Sequence, residues 1–349
     1  MGAEKRVRVG IVGAGGIVRG RHLPNLKQVA GVELACVCNR SRESGERVAK
    51  EFGIGRVERE WRAVVEAEDV DAVLVGTWPY MHCPVSVAAL EAGKHVFCQA
   101  RMAMNTREAR EMAAKARETG LVAGLCYPPI GLKGDYVVRE LLTSGFLGQV
   151  REVRVVDTSD AYVDASKPLH WRQNLKYSGV NTLTVGMYGE VLNRWIGPAR
   201  GVAAQSATFV KERIDPETAK RAPVEIPDAV YAAAELECGA LGSYVFSGAV
   251  PAGQEASITL IGTKGSLFYH VGTDTITVIE AGEGEWRAMP IPEGKERKWR
   301  VEADFVRAIR EGTPVSPDFE EGVGYMAFTE AVVVSARTWK AVEPASLGL

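Results

Sequence analysis

The chain has 349 residues, more than one ordinary domain of about 100 to 200 residues holds, so two domains are expected. Its composition, 46% hydrophobic and 25% charged with 7% aromatic, excludes a disordered or fibrous protein. With 42 basic against 44 acidic residues and a net charge of −2, it has no footprint for nucleic acid or an anionic membrane, and no apolar run approaches the roughly 18 residues that span a bilayer.

From the amino terminus, MGAEKRVRVGIVG has no apolar leader ahead of the first strand, and Arg6 stands where a myristoylation signal needs Ser or Thr, so a cytoplasmic protein is expected. Short β-branched runs then alternate with helix-length amphipathic segments. Strands are expected at 7–12, 32–38, 72–76, 95–98 and 121–126, with helices at 17–29, 44–52, 61–66, 84–92 and 106–119. That alternation predicts an α/β fold whose first domain, 1–126, is a doubly wound parallel sheet of the Rossmann type. After Tyr127 the pattern changes. A helix at 132–144 is followed by strands at 150–157, 201–209, 229–237, 240–246, 256–261, 266–270 and 274–279, several joined by glycine turns, with a helix at 182–196 and closing helices at 299–311 and 318–342. The second domain, 127–349, is therefore expected to be an α/β domain with a large, mainly antiparallel open sheet. An exposed face of such a sheet favours a homo-oligomer, a dimer or tetramer.

Cys36, Cys38, Cys83, Cys98, Cys126 and Cys238 fall mostly in apolar runs without metal-like pairing and read as buried thiols of a reducing compartment. The five histidines are scattered, so no metal site is expected.

Gly13, Gly15, Gly16 and Ile17 lie between the first strand and first helix, where glycines allow a tight turn and backbone N–H groups can face a pyrophosphate at the helix N-terminus. The third position of this G-x-G-x-x-G pattern is Val18, bulkier than the usual Gly or Ala. At the end of the second strand stands Asn39-Arg40-Ser41-Arg42 rather than the acid that selects NAD. An amide and hydroxyl beside guanidinium groups suit a 2′-phosphate, which favours NADP over NAD. NAD stays open if Asn39 and Ser41 only shape the turn.

On the pieces GIVGAGGIVRGRHLPNL, DAVLVGTWPYMHCPVSVAALEAGKHVFC, ITLIGTKGSLFYH and DFVRAIREGTPVSPDFEEGV, the chain resembles the Gfo/Idh/MocA family along nearly its whole length. The resemblance implies a Rossmann domain followed by an open-sheet domain, with a substrate near the nicotinamide. Thr77, Trp78 and His82 match a family loop that borders the cofactor, so His82 is a candidate donor to ribose or phosphate; the alternative is that it only opens the helix at Pro84. Where the family frame carries Glu-Lys-Pro, this chain has Gln99-Ala100-Arg101. Gln99 and Arg101 remain candidate cofactor contacts, but Ala100 has no proton to exchange. The family's second-domain Asp, His and Asp map onto Thr184, Tyr188 and Val191, so four ionisable positions are replaced as a set.

Tyr188 is the candidate for a rebuilt catalytic group, provided that a cation such as Arg101, Arg172 or Lys176 draws its phenol down from a pKa of roughly 10. Its other readings are a substrate hydrogen bonder and a core residue. Tyr127, His170, Trp171, Arg172, Lys176 and Tyr188 are candidate contacts to a polyhydroxylated small molecule, aromatic rings packing on a sugar face while charged groups bind hydroxyls. The primary expectation is an NAD(P)-dependent oxidoreductase acting on a sugar, polyol or related hydroxy compound through a non-standard site. The alternatives are a lyase, epimerase or glycosidase using transient oxidation, and a non-enzymatic cofactor-binding sensor or assembly subunit.

Overall fold

In a computed structural model describing residues 6–126 and 132–348, the first strand, β1 (Val7–Val12), is buried along most of its length within a five-stranded parallel sheet. The elements that follow are α1 (Leu23–Gln28), β2 (Val32–Cys38), α2 (Arg42–Phe52), α3 (Trp61–Glu66), β3 (Ala72–Val75), α4 (His82–Glu91), β4 (His95–Cys98), α5 (Thr106–Thr119) and β5 (Ala123–Leu125). The strand order β2-β1-β3-β4-β5 makes a doubly wound sheet whose direction of winding reverses between β1 and β3. A crevice for a ligand opens at the carboxyl ends of the strands at such a reversal. The continuous apolar runs of β1 and β3 follow from covering both sheet faces with helices.

Local chemistry sets the helix ends. Ser41 accepts from the Ser44 backbone N–H at 3.3 Å and so starts α2, and Gly53, at φ +73°, stops it in a conformation that costs a Cβ-free residue little. The expected first helix is in fact a π-helical turn, Val18–His22, that runs into α1.

The next segment holds α6 (Asp135–Thr143), β6 (Val150–Thr158), α7 (Leu175–Ser178), α8 (Val185–Ile196), β7 (Ala199–Ala207), β8 (Glu212–Ile214), β9 (Arg221–Pro223), β10 (Ala229–Leu236), β11 (Leu241–Ser247), β12 (Ala256–Gly262), β13 (Gly265–His270), β14 (Thr275–Glu280) and β15 (Arg287–Met289). The chain closes with α9 (Val301–Glu311) and α10 (Phe319–Thr338). Eight strands form one sheet in the order β15-β14-β13-β12-β6-β11-β10-β7, antiparallel throughout except for the β6–β11 pair. The short α7, the β8–β9 ribbon and β15 lack the length and alternation that made the other elements legible in sequence.

Helix α8 buries Tyr188, Val191, Leu192 and Trp195 in the core beneath this sheet. A Cβ on Gly186 would meet Thr329 Oγ1 at 2.8 Å, and one on Gly189 would meet Phe328 Cδ1 at 2.8 Å, so the two glycines let α8 and α10 approach closely. The chain divides into two units, Met1–Tyr127 with Arg300–Val323, and Pro128–Trp299 with Gly324–Leu349. The sequence boundary placed 300–323 in the second domain; its contacts return it to the first. Among the described residues no helix is long and apolar enough to cross a membrane.

Candidate cofactor and catalytic sites

In the first unit the glycine loop is built by close approach. Gly13 has φ +85°, and a Cβ there would lie 2.6 Å from Thr77 Cγ2 and 2.7 Å from the Thr77 backbone nitrogen. Gly15 and Gly16 are exposed, with nothing within 4 Å of where a Cβ would be, which leaves their backbone open to a ligand. Ile17 beside them is 38% exposed. Val18, which looked too bulky for its place in the fingerprint, is fully buried, and its Cγ2 lies 2.3 Å from a Cβ position on Gly76. The missing third glycine has thus been made good on the neighbouring strand.

Asn39 holds this loop. Its Oδ1 accepts from the Ala14 N–H at 2.6 Å and its Nδ2 donates to Ser44 Oγ at 2.9 Å, so both polar ends serve the protein. Ser41 is the α2 cap, and Arg42 pairs with Glu46 one turn on. Of the Asn-Arg-Ser-Arg run, Arg40 behaves differently: its guanidinium lies 5.7 Å from the centroid of the Trp78 ring, stacked at the switch point. Asn39 and Ser41 thus position the loop and the start of α2.

His82 is buried. It is 1% exposed, with Nε2 2.9 Å from the Thr77 carbonyl oxygen and Nδ1 2.8 Å from that of Arg101, so it ties the loops after β3 and β4 together rather than facing a ligand. Burial holds its pKa below the ordinary histidine value against the pull of those carbonyls. Thr77 keeps a buried hydroxyl with no hydrogen-bond partner in the protein.

Gln99 is buried as well. Its Oε1 lies 2.9 Å from His22 Nε2, and His22 Nδ1 lies 2.6 Å from Glu302 Oε1, while Asn25 donates to Glu302 Oε2 at 3.2 Å. The sequence reading missed His22, Asn25 and Glu302. The three-residue spacing of His22 and Asn25 on one helix face was a faint signal, but Glu302 is 280 positions from His22 and nothing local announces it. An amide suits this ring in either protonation state, since it offers an acceptor or, turned over, a donor.

In the second unit, His170 Nδ1 accepts from the Arg172 N–H at 3.2 Å, and the Arg172 guanidinium lies 4.3 Å over the Trp171 ring. Lys176 is exposed, its Nζ 5.1 Å from the Tyr177 ring centre. Buried Arg213, unforeseen, donates to the carbonyls of Tyr162, Asp164 and Lys167 and so shapes the loop ahead of His170. Tyr127 lies outside the described residues.

Tyr188 is 1% exposed and tilted against Phe246 at 5.6 Å. Burial and the neighbouring Asp157 carboxylate push its phenol above its ordinary pKa, and no cation acts on it. That is the reverse of what a tyrosine base needs. The Thr184 hydroxyl donates to Asp157 Oδ2, and burial pushes the Asp157 carboxyl above the usual aspartate range against the opposing hydrogen bonds of Thr184 and Tyr188. Val191 is core. Glu190, two residues from Tyr188, is held by Arg194, which also reaches Asp135.

Residues 7–127 match the family described as "Oxidoreductase family, NAD-binding Rossmann fold", and residues 137–268 match the GFO/IDH/MocA C-terminal domain. The chain belongs to the Gfo/Idh/MocA family of oxidoreductases. Family relatives include 1,5-anhydro-D-fructose reductase of Ensifer adhaerens, 28% identical over 96% of this chain and 98% of its own length. Levoglucosan dehydrogenase of Pseudarthrobacter phenanthrenivorans is 25% identical over 84% of this chain and 85% of its own. A solved oxidoreductase domain protein from Kribbella flavida superposes with a TM-score of 0.86 at 26% identity, covering 97% of this chain and 99% of that one.

Proposed function

We propose that this chain is an NAD(P)-dependent oxidoreductase acting on a CH–OH group of a sugar, polyol or related hydroxy compound, through a proton relay different from the family's. The observation that carries this reading is the cradle after β1: the positive-φ Gly13, the open backbone of Gly15 and Gly16, and the unpartnered buried hydroxyl of Thr77 fit a dinucleotide. When bound, the nicotinamide exchanges a hydride with the substrate carbon. The backbone of Gly13, Gly15, Gly16 and Ile17 would hold the pyrophosphate. Arg40, stacked on Trp78 and with no carboxylate at position 39 beside it, favours a 2′-phosphate and hence NADP.

A sugar-class substrate is supported by the names of two relatives, levoglucosan dehydrogenase and 1,5-anhydro-D-fructose reductase. In the first unit Arg101 is a further proposed cofactor contact; in the second, the stack of His170, Trp171 and Arg172, with Lys176, is the proposed substrate contact. The outward face of the large sheet, where Tyr231 is 59% and Leu241 64% exposed, supports a dimer or tetramer. Six free thiols suit a cytoplasmic setting.

Incubation with deuterated nicotinamide cofactor and a panel of aldoses, polyols, uronates and their oxidised forms, followed by mass spectrometry, tests the reading. Deuterium in a product is expected. Tight cofactor binding with no label moved into any compound would defeat it.

A further inference from the structure

A cavity of about 710 Å³ lies wholly within the second unit, between the end of β7, the turn that leads into α8 and the last turns of α10. Among the described residues, none of the cofactor and substrate contacts proposed above lines it. We propose that this cavity binds a small organic anion, with a carboxylate or phosphate head on an apolar body. Neither the nicotinamide cofactor nor the oxidoreductase reaction is needed for this binding.

The walls are fixed by the protein's own hydrogen bonds. The buried Asp228 carboxylate accepts from the Phe209 and Val210 N–H groups at 2.7 and 3.1 Å, and Gln173 donates to its other oxygen at 3.2 Å, which anchors the segment leading to Lys211. The Val224 N–H donates to the Lys211 carbonyl at 2.8 Å and ties that segment to the residue ahead of Glu225. Glu225, the one carboxylate among the described lining residues, accepts the Leu175 N–H at 3.1 Å. A pre-formed cavity of this size falls in the range of about 300–1,000 Å³ that small-molecule sites occupy.

The charge of the lining selects the ligand. Lys211 and Arg337 line the same cavity, and neither makes an ion pair or side-chain hydrogen bond with a described residue; nor do the hydroxyls of Ser206 and Thr208. Two cations against one engaged carboxylate leave the lining positive, with two hydroxyl donors unspent. An oxyanion answers both, because a guanidinium forks onto two oxygens of a carboxylate or phosphate while an ammonium adds a point charge. The remaining lining is apolar: Val332 and Val333 of α10 are buried, Val180 stands before α8, and the Phe209 ring is 62% exposed on its anchored backbone. An inorganic anion would leave these surfaces wet, whereas an organic body covers them.

The test uses the intact protein, with 2-naphthoate and 2-naphthyl phosphate as anionic probes, 2-naphthylmethanol as the uncharged analogue and inorganic phosphate as the bare head group, each titrated by calorimetry. Both naphthyl anions are expected to bind at least about 10-fold more tightly than the alcohol or inorganic phosphate, and to weaken as salt is raised. Lys211→Met and Arg337→Met keep an apolar stem and remove the charge, so each should cost the anions about 10-fold while leaving the alcohol and thermal unfolding unchanged. Lys340→Met, an exposed cation off this cavity, should cost neither probe anything. NADP should leave the naphthyl anions bound. Equal affinity for anion and alcohol, an equal loss in Lys340→Met, displacement by NADP, or no binding of either anion at about 1 mM overturns the proposal, and the oxidoreductase reading stands in every one of these cases.

Discussion

Asn39 and Arg40 are adjacent, yet only one of them faces outward. Asn39 spends both ends on Ala14 and Ser44, whereas the exposed Arg40 guanidinium lies over Trp78. Arg40→Asp removes that positive charge and adds a carboxylate able to accept from ribose hydroxyls. NADP affinity should then fall by about 10-fold or more with NAD affinity little changed, read by fluorescence titration of each cofactor. Equal losses would remove the case for NADP. The buried chain Glu302, His22, Gln99 makes a second residue-scale prediction. Glu302→Ala strips the buried ring of its carboxylate partner and should cost about 3 kcal/mol or more in urea unfolding, whereas Glu302→Gln keeps an acceptor and should cost clearly less. Similar losses for both would mean that the pairing contributes nothing. At this scale the sequence was readable where local geometry decides, as at Gly13 and the Ser41 cap. It was unreadable where a side chain's partner is remote, as for Gln99 beside His22, and it left the alternatives for His82 and Tyr188 open because burial depends on the whole fold.

At the scale of elements, the junction of β1, β3 and the first helical turn works by exchanging volume between positions. Val18 fills the space that Gly76 vacates, and Gly13 makes room for Thr77. A methyl at Gly76 would meet both Val18 Cγ2 at 2.3 Å and the Gly13 carbonyl at 2.5 Å. Gly76→Ala should therefore cost about 1–3 kcal/mol through overpacking and weaken cofactor binding along with stability. Adding Val18→Ala should recover part of the stability but little of the binding, because the backbone conflict beside the cradle persists. Full recovery of both in the double variant would show that only the valine contact matters. The long periodic helices and strands were legible from pattern alone, since period 3.6 and period 2 write themselves into which residues are apolar. The π-helical turn at Val18–His22, short α7 and the β8–β9 ribbon were not, because tertiary packing and a few hydrogen bonds decide segments of that length.

For the whole molecule, the outward face of the large sheet carries Tyr231 opposite Val245 and Glu235 opposite Leu241 on neighbouring strands. The double variant Tyr231→Asp with Leu241→Asp should shift the protein toward monomer in light scattering coupled to size exclusion, without loss of cofactor binding. An unchanged assembly would place the contact elsewhere. Residues 300–323 belong with the first unit, far from it in sequence, because Glu302 and Phe305 of α9 complete its core. The sequence by itself determined the class of fold and the glycine cradle, both of which depend on residue type and local spacing. Only the tertiary structure decided which polar groups are spent on the protein and which are left for a ligand. That outcome depends on burial and on partners brought together across the chain, as Asp157 is with Thr184 and Tyr188.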